Sequence, residues 1–466
     1  MSLIGSLDIG KRAIMAQTQA LKVVGDNISN VNTPGYSRKR IELKNTIHAS
    51  QQDVNIFETR RIRDQFIDKH IRTENQSLGN WDMKSQQYSQ IERVFLEPSE
   101  NGINNLLGEF WNSWEDLGNN PENMTSRNMV VQRGMALAQN INRIDSQLKD
   151  IRKTVNGHID DRIEQVNQKA SQVAYLNTQI EFLEASGDEA SGLRDSRDLL
   201  VDEISKQLNV TSLEHDNGSV SLFVSGRAIV DEKRFTAIKT EHVFISGMVV
   251  TNMKWSDDLS KVVINNGEIA GLLDVRDETI TGLTGKMDQL AQTLITSVNK
   301  IYSAGYGLDG VNQRDFFVGT NAGNIKVNDD SNTGVINHPE RVSASANGQA
   351  GDNSIALQLA RLSDIRVAPD GSEVPNGVYN PDAINITQFY NDTVNSLGTE
   401  TQLASMMTES AQMLVTDLEE RREGVSGVSL DEESADLIKL QRAYEAAAKY
   451  MSVIDEMIGI LMNIGR

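Results

Sequence analysis

The chain has 466 residues, with 45 Lys or Arg against 65 Asp or Glu, a formal charge of −20. That length exceeds one ordinary core and points to several domains, and the acidic balance repels phosphate backbones, excluding general nucleic-acid binding. With no cysteine, 5% aromatic residues and no run near the roughly 18 apolar residues of a helical span, disulfide scaffolds, thiolate chemistry and membrane spanning are excluded too.

The opening residues carry Asp8 and no continuous apolar stretch, so they do not read as a cleaved secretory signal. They start a ladder instead. Leu7, Gly10, Ile14, Gln17, Leu21, Val24, Ile28 and Val31 are spaced alternately by three and four, the single stripe of an amphipathic heptad helix. Thr33-Pro34-Gly35 stops it. Beyond it, Arg38-Lys39-Arg40 and then Arg60, Arg61 and Arg63 form a basic stretch within the acidic chain. These arginines either meet acidic surface on a neighbouring subunit and fix register, or pair within the chain.

From about Thr125 a longer seam begins. Leu137, Ile141, Ile144, Leu148, Ile151, Val155, Ile159, Ile163, Val166, Ala170, Val173, Leu176, Ile180 and Leu183 keep mostly threes and fours. The spacing predicts a helix of about 60 residues, roughly 90 Å long, ending at Ser186-Gly187-Asp188. A second helical pattern follows with Leu193, Leu199, Leu200, Ile204 and Leu208. Between 209 and 266 the period changes to short β-rich runs beside Asn217-Gly218 and Asn266-Gly267, which predicts hairpins. Helix returns from about Ala270 to Ile301 and again from Ile386 to Glu423, around a loop-rich stretch from Ser303 to Asn380.

Ser429-Leu430-Asp431-Glu432 is a capping box whose acidic first turn suits the positive end of a helix dipole. It opens a second ladder with the stepping of the first: Leu437, Leu440, Tyr444, Ala447, Met451, Ile454, Ile458 and Leu461. Each end can cover the other's stripe, which brings the termini together and makes the rest one long insertion. Two helices make a thin unit, so full order at the ends is expected only when neighbouring subunits cover them.

The expected fold is mainly α and elongated. Residues 1–70 with 425–466 form a terminal helical inner core of paired coiled-coil helices. Residues 71–208, 267–310 and 385–424 form a long helical-bundle rod. Residues 209–266 are a small inserted β-rich domain, and 311–384 a loop-rich segment packed on the rod.

The motif Asn27-Ile28-Ser29-Asn30-Val31-Asn32-Thr33-Pro34-Gly35-Tyr36-Ser37-Arg38 resembles the signature of the bacterial flagellar rod, hook and hook-associated proteins. The stretch from Ser426 through Ser429-Leu430-Asp431-Glu432 to Tyr450 resembles the end of the hook–filament junction members. Arg197–Ser205, Gly271–Asp277 and Asp315-Phe316-Phe317 agree with them. The resemblance implies a structural, non-enzymatic subunit that leaves the cell by type III export without a cleaved signal, a route on which lacking cysteine avoids stray disulfides. It also implies polymerisation at the hook–filament junction as a ring or helical layer, in contact with hook protein and a second junction protein. An export chaperone would hold the C-terminal helix beforehand. Assembly would rest on Leu7, Ile14, Leu21, Val24, Ile28, Asn30, Val31, Asn32, Pro34, Gly35 and Tyr36, and on the C-terminal ladder. A hook or rod subunit, or a secreted adhesin using the β domain, are the alternatives.

No chemistry competes with this. Gly305-Tyr306-Gly307-Leu308-Asp309-Gly310 matches a dinucleotide fingerprint in letters, yet it follows a helix and precedes none. The six histidines lack metal-ligand spacing, and Asp329-Asp330-Ser331-Asn332 lacks the glycine and distal glutamate of a calcium loop. No catalytic, cofactor-binding or metal residue is expected.

Overall fold

The computed structural model describes residues 3–464 apart from 49–50, 96, 187–189, 246–247, 376–377 and 379. Helix α1 (Leu3–Ser29) leads through a turn into a long antiparallel hairpin, β1 (Lys39–His48) and β2 (Gln51–Arg61), whose register shifts between Lys44 and Asn45. No strand was expected there. The alternation Arg40/Glu42 against Ile41/Leu43 is a period-two pattern written mostly in charges, which an apolar count passes over.

Helices α2 (Gln65–Phe95), α3 (Ile103–Asn119), α4 (Met124–Ala185) and α5 (Ser191–Gln207) follow. The long helix forms as its seam predicts, and at 62 residues it runs about 93 Å. Asn123 caps it, its side-chain oxygen accepting from the Thr125 and Ser126 amides. Ser186 follows the helix end, while Gly187-Asp188 of the expected turn lie outside the described residues. The chain then builds a four-stranded antiparallel sheet, β3 (Val210–Glu214), β4 (Val220–Val224), β5 (Arg227–Asp231) and β6 (Arg234–Phe235), and a separate hairpin, β7 (Ile238–Ile245) with β8 (Met248–Trp255).

These strands lie along α4, which holds them by asparagines about three turns apart. Asn156 donates to the Val249 carbonyl at 2.7 Å and accepts from the Thr251 amide at 3.2 Å. Asn167 does the same with both backbone groups of Ile238 (2.7 and 2.9 Å), and Asn177 with both of Val220 (2.8 and 3.1 Å). A carboxamide carries the donor and acceptor that a neighbouring strand would supply, so α4 occupies open sheet edges.

Helices α6 (Glu268–Asp274) and α7 (Ile280–Tyr302) are continuous through a π turn at Val275–Thr279. Within it, buried Arg276 donates to the Thr251 carbonyl at 2.7 Å and to Asn156 at 3.2 Å, pinning the second hairpin to α4. The stretch from Ser303 to Asn380 contains small pieces: β9 (Phe317–Val318) with β10 (Lys326–Val327), α8 (Ser354–Ala360), and β11 (Arg366–Val367) with β12 (Glu373–Val374). Helices α9 (Ile386–Ser426) and α10 (Leu430–Ile464) complete the chain.

One continuous apolar core runs through this body. Its densest part is aromatic: Phe110, Trp114, Tyr302, Phe316 and Phe317 are fully buried, with several ring centroids 5.4–6.2 Å apart. Asn299 holds Phe316 and Phe317 there, its oxygen accepting from both amides at 3.0 Å. Where α2 crosses α6, glycines allow backbone approach; a Cβ on Gly271 would stand 2.5 Å from the Asn80 carbonyl oxygen. Among the described residues, none of this core comes from α1 or α10.

Candidate assembly site at the paired termini

The two ladders face each other. Helix α1 runs along α10, and Gly10 marks the closest approach, where a Cβ would meet Met451 Cγ and Sδ at 2.8 Å. On α1, Val24 is buried, while Leu7, Ile14, Leu21, Ile28 and Val31 are half-buried. Of the α10 ladder only Ile454 is buried. Leu437, Leu440, Ala447, Met451 and Ile458 are half-buried, and Tyr444 and Leu461 are exposed, 38% and 54%. One helix cannot cover the other's stripe alone.

Alongside the predicted ladder lies a second one that the sequence reading missed. Tyr450, Val453, Met457 and Ile460 are all exposed and step by three, four and three, each one residue before a member of the first ladder. The signal was present. Two ladders offset by one residue make a wide apolar face instead of a seam. Ile9 and Met15 on α1 are exposed as well.

The motif after α1 forms a joint. Asn30 closes the helix, its amide and its side-chain nitrogen both donating to the Asp26 carbonyl at 3.1 and 2.8 Å. Thr33 and Tyr36 amides continue the turn, and Gly35 takes φ +78°, a left-handed conformation that favours glycine. Pro34 and Asn32 are exposed, and Tyr36 is half-buried. At the centre is Asn27, 1% exposed and saturated. Its nitrogen donates to the Lys39 carbonyl and to Glu433 Oε2, both at 3.0 Å. Its oxygen accepts from the Tyr36 hydroxyl at 2.9 Å and the Lys39 amide at 3.0 Å. Arg38 completes the joint through Nε to Glu433 Oε1 and Nη1 to Glu432 Oε2, both 2.7 Å, while its amide donates to the Ser426 carbonyl at 2.9 Å. Thus the acidic first turn of α10 binds the end of α1 as well as its own helix dipole.

Burial, with Asp26, Asp195 and Glu433 nearby, pushes the Tyr36 hydroxyl well above its ordinary pKa. Burial lowers that of Arg38, but Glu432 and Glu433 outweigh it and hold the guanidinium above its usual value.

Below the joint, Asp195, Asp198 and Asp202 of α5 share one helix face and gather arginines. Arg61 Nη1 bonds Asp195 at 2.9 Å and Asp198 at 3.0 Å; Arg63 bonds Asp198, and Asp68 at 2.8 Å; Arg72 and Arg422 hold Asp202 at 2.7 and 2.8 Å. Burial alone would raise the Asp198 carboxyl, but Arg197, Arg63, Arg61 and Arg72 hold it well below the carboxylate range. Of the two alternatives for the basic stretch, Arg61 and Arg63 take pairing within the chain, because α5 brings carboxylates to them from more than 130 residues away. Arg60 points outward, 70% exposed, with Glu42 at 3.4 Å.

Two clefts flank the motif loop, about 610 Å³ against Tyr175, Leu176, Leu199 and Leu200, and about 680 Å³ against Arg422–Ser429. Both are open, and their lining is the motif loop together with apolar side chains of α4 and α5 in the first and the α9–α10 junction in the second. Among the described residues no three His, Asp or Glu side chains are placed to hold a metal ion. Asp330 instead accepts from the Asn332 and Thr333 amides of its own turn. No described helix is long and apolar enough to cross a membrane.

Three family models match separate stretches of the chain. Residues 88–317 match the family model for the flagellar hook-associated protein FlgK helical domain, 7–36 that for flagella basal body rod protein, and 424–464 that for the flagellar basal body rod FlgEFG protein C-terminal. The chain is 27% identical to flagellar hook-associated protein 1 of Bacillus subtilis, over 98% of this chain and 97% of that protein. It is 24% identical to the proteins of that name from Salmonella typhimurium and Escherichia coli, over 99% of this chain and all of each. In fold it resembles the flagellar hook junction protein FlgK of Burkholderia pseudomallei (TM-score 0.62, 13% identity, 77% of this chain and all of that one).

Proposed function

Because the chain belongs to the flagellar hook-associated protein 1 family, we propose that its paired terminal helices are the surface through which it polymerises. It is a structural component of the bacterial flagellum at the hook–filament junction, and the family is a structural one. The ends match models shared with rod proteins, whereas the interior match is specific to the hook-associated proteins. Common ends serve stacking in one continuous axis, and the interior sets the member.

The observation that carries the proposal is the exposed ladder Tyr450, Val453, Met457 and Ile460 beside a stripe that α1 covers only in part. Apolar helix faces are covered when sister helices pack beside them, and a repeated heterologous contact yields a ring or a helical layer according to the rotation it imposes. In this reading 1–70 with 425–466 make the inner wall, and 71–208, 267–310 and 385–424 the supporting rod, with 209–266 projecting and 311–384 packed on the rod. Leu7, Ile14, Leu21, Val24, Ile28 and Val31 face α10, while Asn30, Asn32, Pro34, Gly35 and Tyr36 shape the joint. Hook protein lies on one side and a second junction protein on the other, with the exposed Arg60 within reach of an acidic neighbour. Before export through the flagellar type III channel, without a cleaved signal, a chaperone covers the α10 face, and the protein then works outside the cell.

The test replaces Val453, Met457 and Ile460 together by serine. These side chains are about half exposed, so the monomer is expected to melt close to wild type, while cells lose motility and shed unpolymerised flagellin. Motile cells with ordinary filaments would refute the assembly role.

A further inference from the structure

We infer that the aspartate face of α5 is an ionic clasp that fixes the angle at which the terminal helix pair leaves the body, with the motif loop 30–36 as the hinge it restrains. Three facts converge on it. First, the main core does not extend into α1 or α10, so no apolar packing of that core sets their orientation. Second, the loop that joins α1 to the rest of the chain is bordered by open clefts on two sides, and the atoms nearest to where a Cβ on Gly35 would stand are those of Leu199, from 3.4 Å. Third, polar contacts span the gap and converge on α5. The Ser37 amide donates to Asp195 Oδ2 at 3.3 Å, Arg61 bridges Asp195 and Asp198, and Arg63 joins Asp198 to Asp68 on α2.

Two of the three aspartates, Asp198 and Asp202, also have partners on the body. Arg197, 1% exposed, bonds Asp198 and the Gly218 carbonyl, and Arg72 and Arg422 share Asp202. Asp198 and Asp202 therefore keep partners on the body whether or not the terminal side is docked, which a reusable clasp requires, while Asp195 bonds only the terminal side, through Ser37 and Arg61. The groups in the clasp are only 8–12% exposed on the side of Arg61, Arg63, Asp195 and Asp198, so bulk salt screens them weakly and the angle is held firmly. A guanidinium with several carboxylate partners also fixes direction, which a point charge does not.

The experiment uses the full chain, whose lack of cysteine leaves introduced labels unique. Spin labels at Glu445→Cys on α10 and Ser171→Cys on α4, both exposed, report the angle; a second pair at Lys153→Cys and Ser171→Cys reports α4 alone. In the parent the first pair is expected to give a narrow distance distribution. Arg61→Gln with Arg63→Gln should shift and broaden it, Arg61→Lys with Arg63→Lys should restore most of it, and the second pair should not change. Asp195→Asn, which touches only Ser37 and Arg61 and leaves Asp198 to Arg197, is the variant to read if the double substitution fails to fold. An unchanged narrow distribution in either folded variant overturns the clasp. Because the measurement is made on the monomer, it fails independently of whether the terminal ladders polymerise.

Discussion

The seam of α4 and the ladder of α10 share one spacing and have opposite fates. Ile144, Leu148, Val155, Ile159 and Val166 are 0% exposed, while of the α10 ladder only Ile454 is buried and Leu461 is more than half exposed. Stepping by three and four decides which side chains share a face. How many elements gather on that face decides burial. Helix α4 is surrounded by α3, α5, α6, α7 and the strands, whereas α10 has α1 and little else. The same local code therefore builds a finished core in one region and an unfinished one in the other, and the unfinished one is where a polymer has to form.

The largest expected effect lies in the body. Leu148→Ala should cost about 2–5 kcal/mol by transfer and cavity terms, read as a lower chemical-denaturation midpoint of the monomer. Leu461→Ala should leave that midpoint unchanged. Equal losses at the two positions would break the comparison. Next comes the helix crossing at Gly10. Gly10→Leu drives a side chain into Met451, and overpacking of this kind costs roughly 1–3 kcal/mol. It should accelerate amide exchange in α1 and α10 and leave α4 untouched, and slow exchange in both regions of the parent monomer would show that the terminal pair is complete by itself.

The smallest effect is acid loosening of the clasp. The folded pKa of Asp198 is depressed, so its contribution is fully present above the ordinary carboxylate value of about 3.9 and is lost as pH falls through the folded value. The angle reported by the α10–α4 label pair should hold from neutral pH down to about 4 and loosen only below it. Loosening between pH 5 and 7 would assign the joint to other groups.

Much of this was legible in the residues. The ends of α4, the two terminal ladders, the change of period near 209 and the stop at Thr33-Pro34-Gly35 are local signals, and local sterics enforce them. The family-like interior segments also have physical work: Asp198 and Asp202 join the arginines, Gly271 admits Asn80, and Phe316 and Phe317 fill the aromatic core. The hairpin at 39–61 was missed because its alternation is carried by charges. The outward ladder on α10 was missed because a single stripe was sought where two lie side by side.

Other features had no local signature at all. Asn156, Asn167 and Asn177 look like polar interruptions of a seam, and only the docking of strands 93, 71 and 43 residues away makes them edge caps. For Arg61 and Arg63 the sequence leaves open a partner within the chain or on a neighbouring subunit, until α5 folds against them. The sequence by itself determined which segments are helical and which faces are apolar, because backbone sterics and side-chain period act over a few residues. Only the tertiary structure decided which of those faces were already covered and which charges were already paired, because burial and ion pairing depend on neighbours that the chain brings together from far apart.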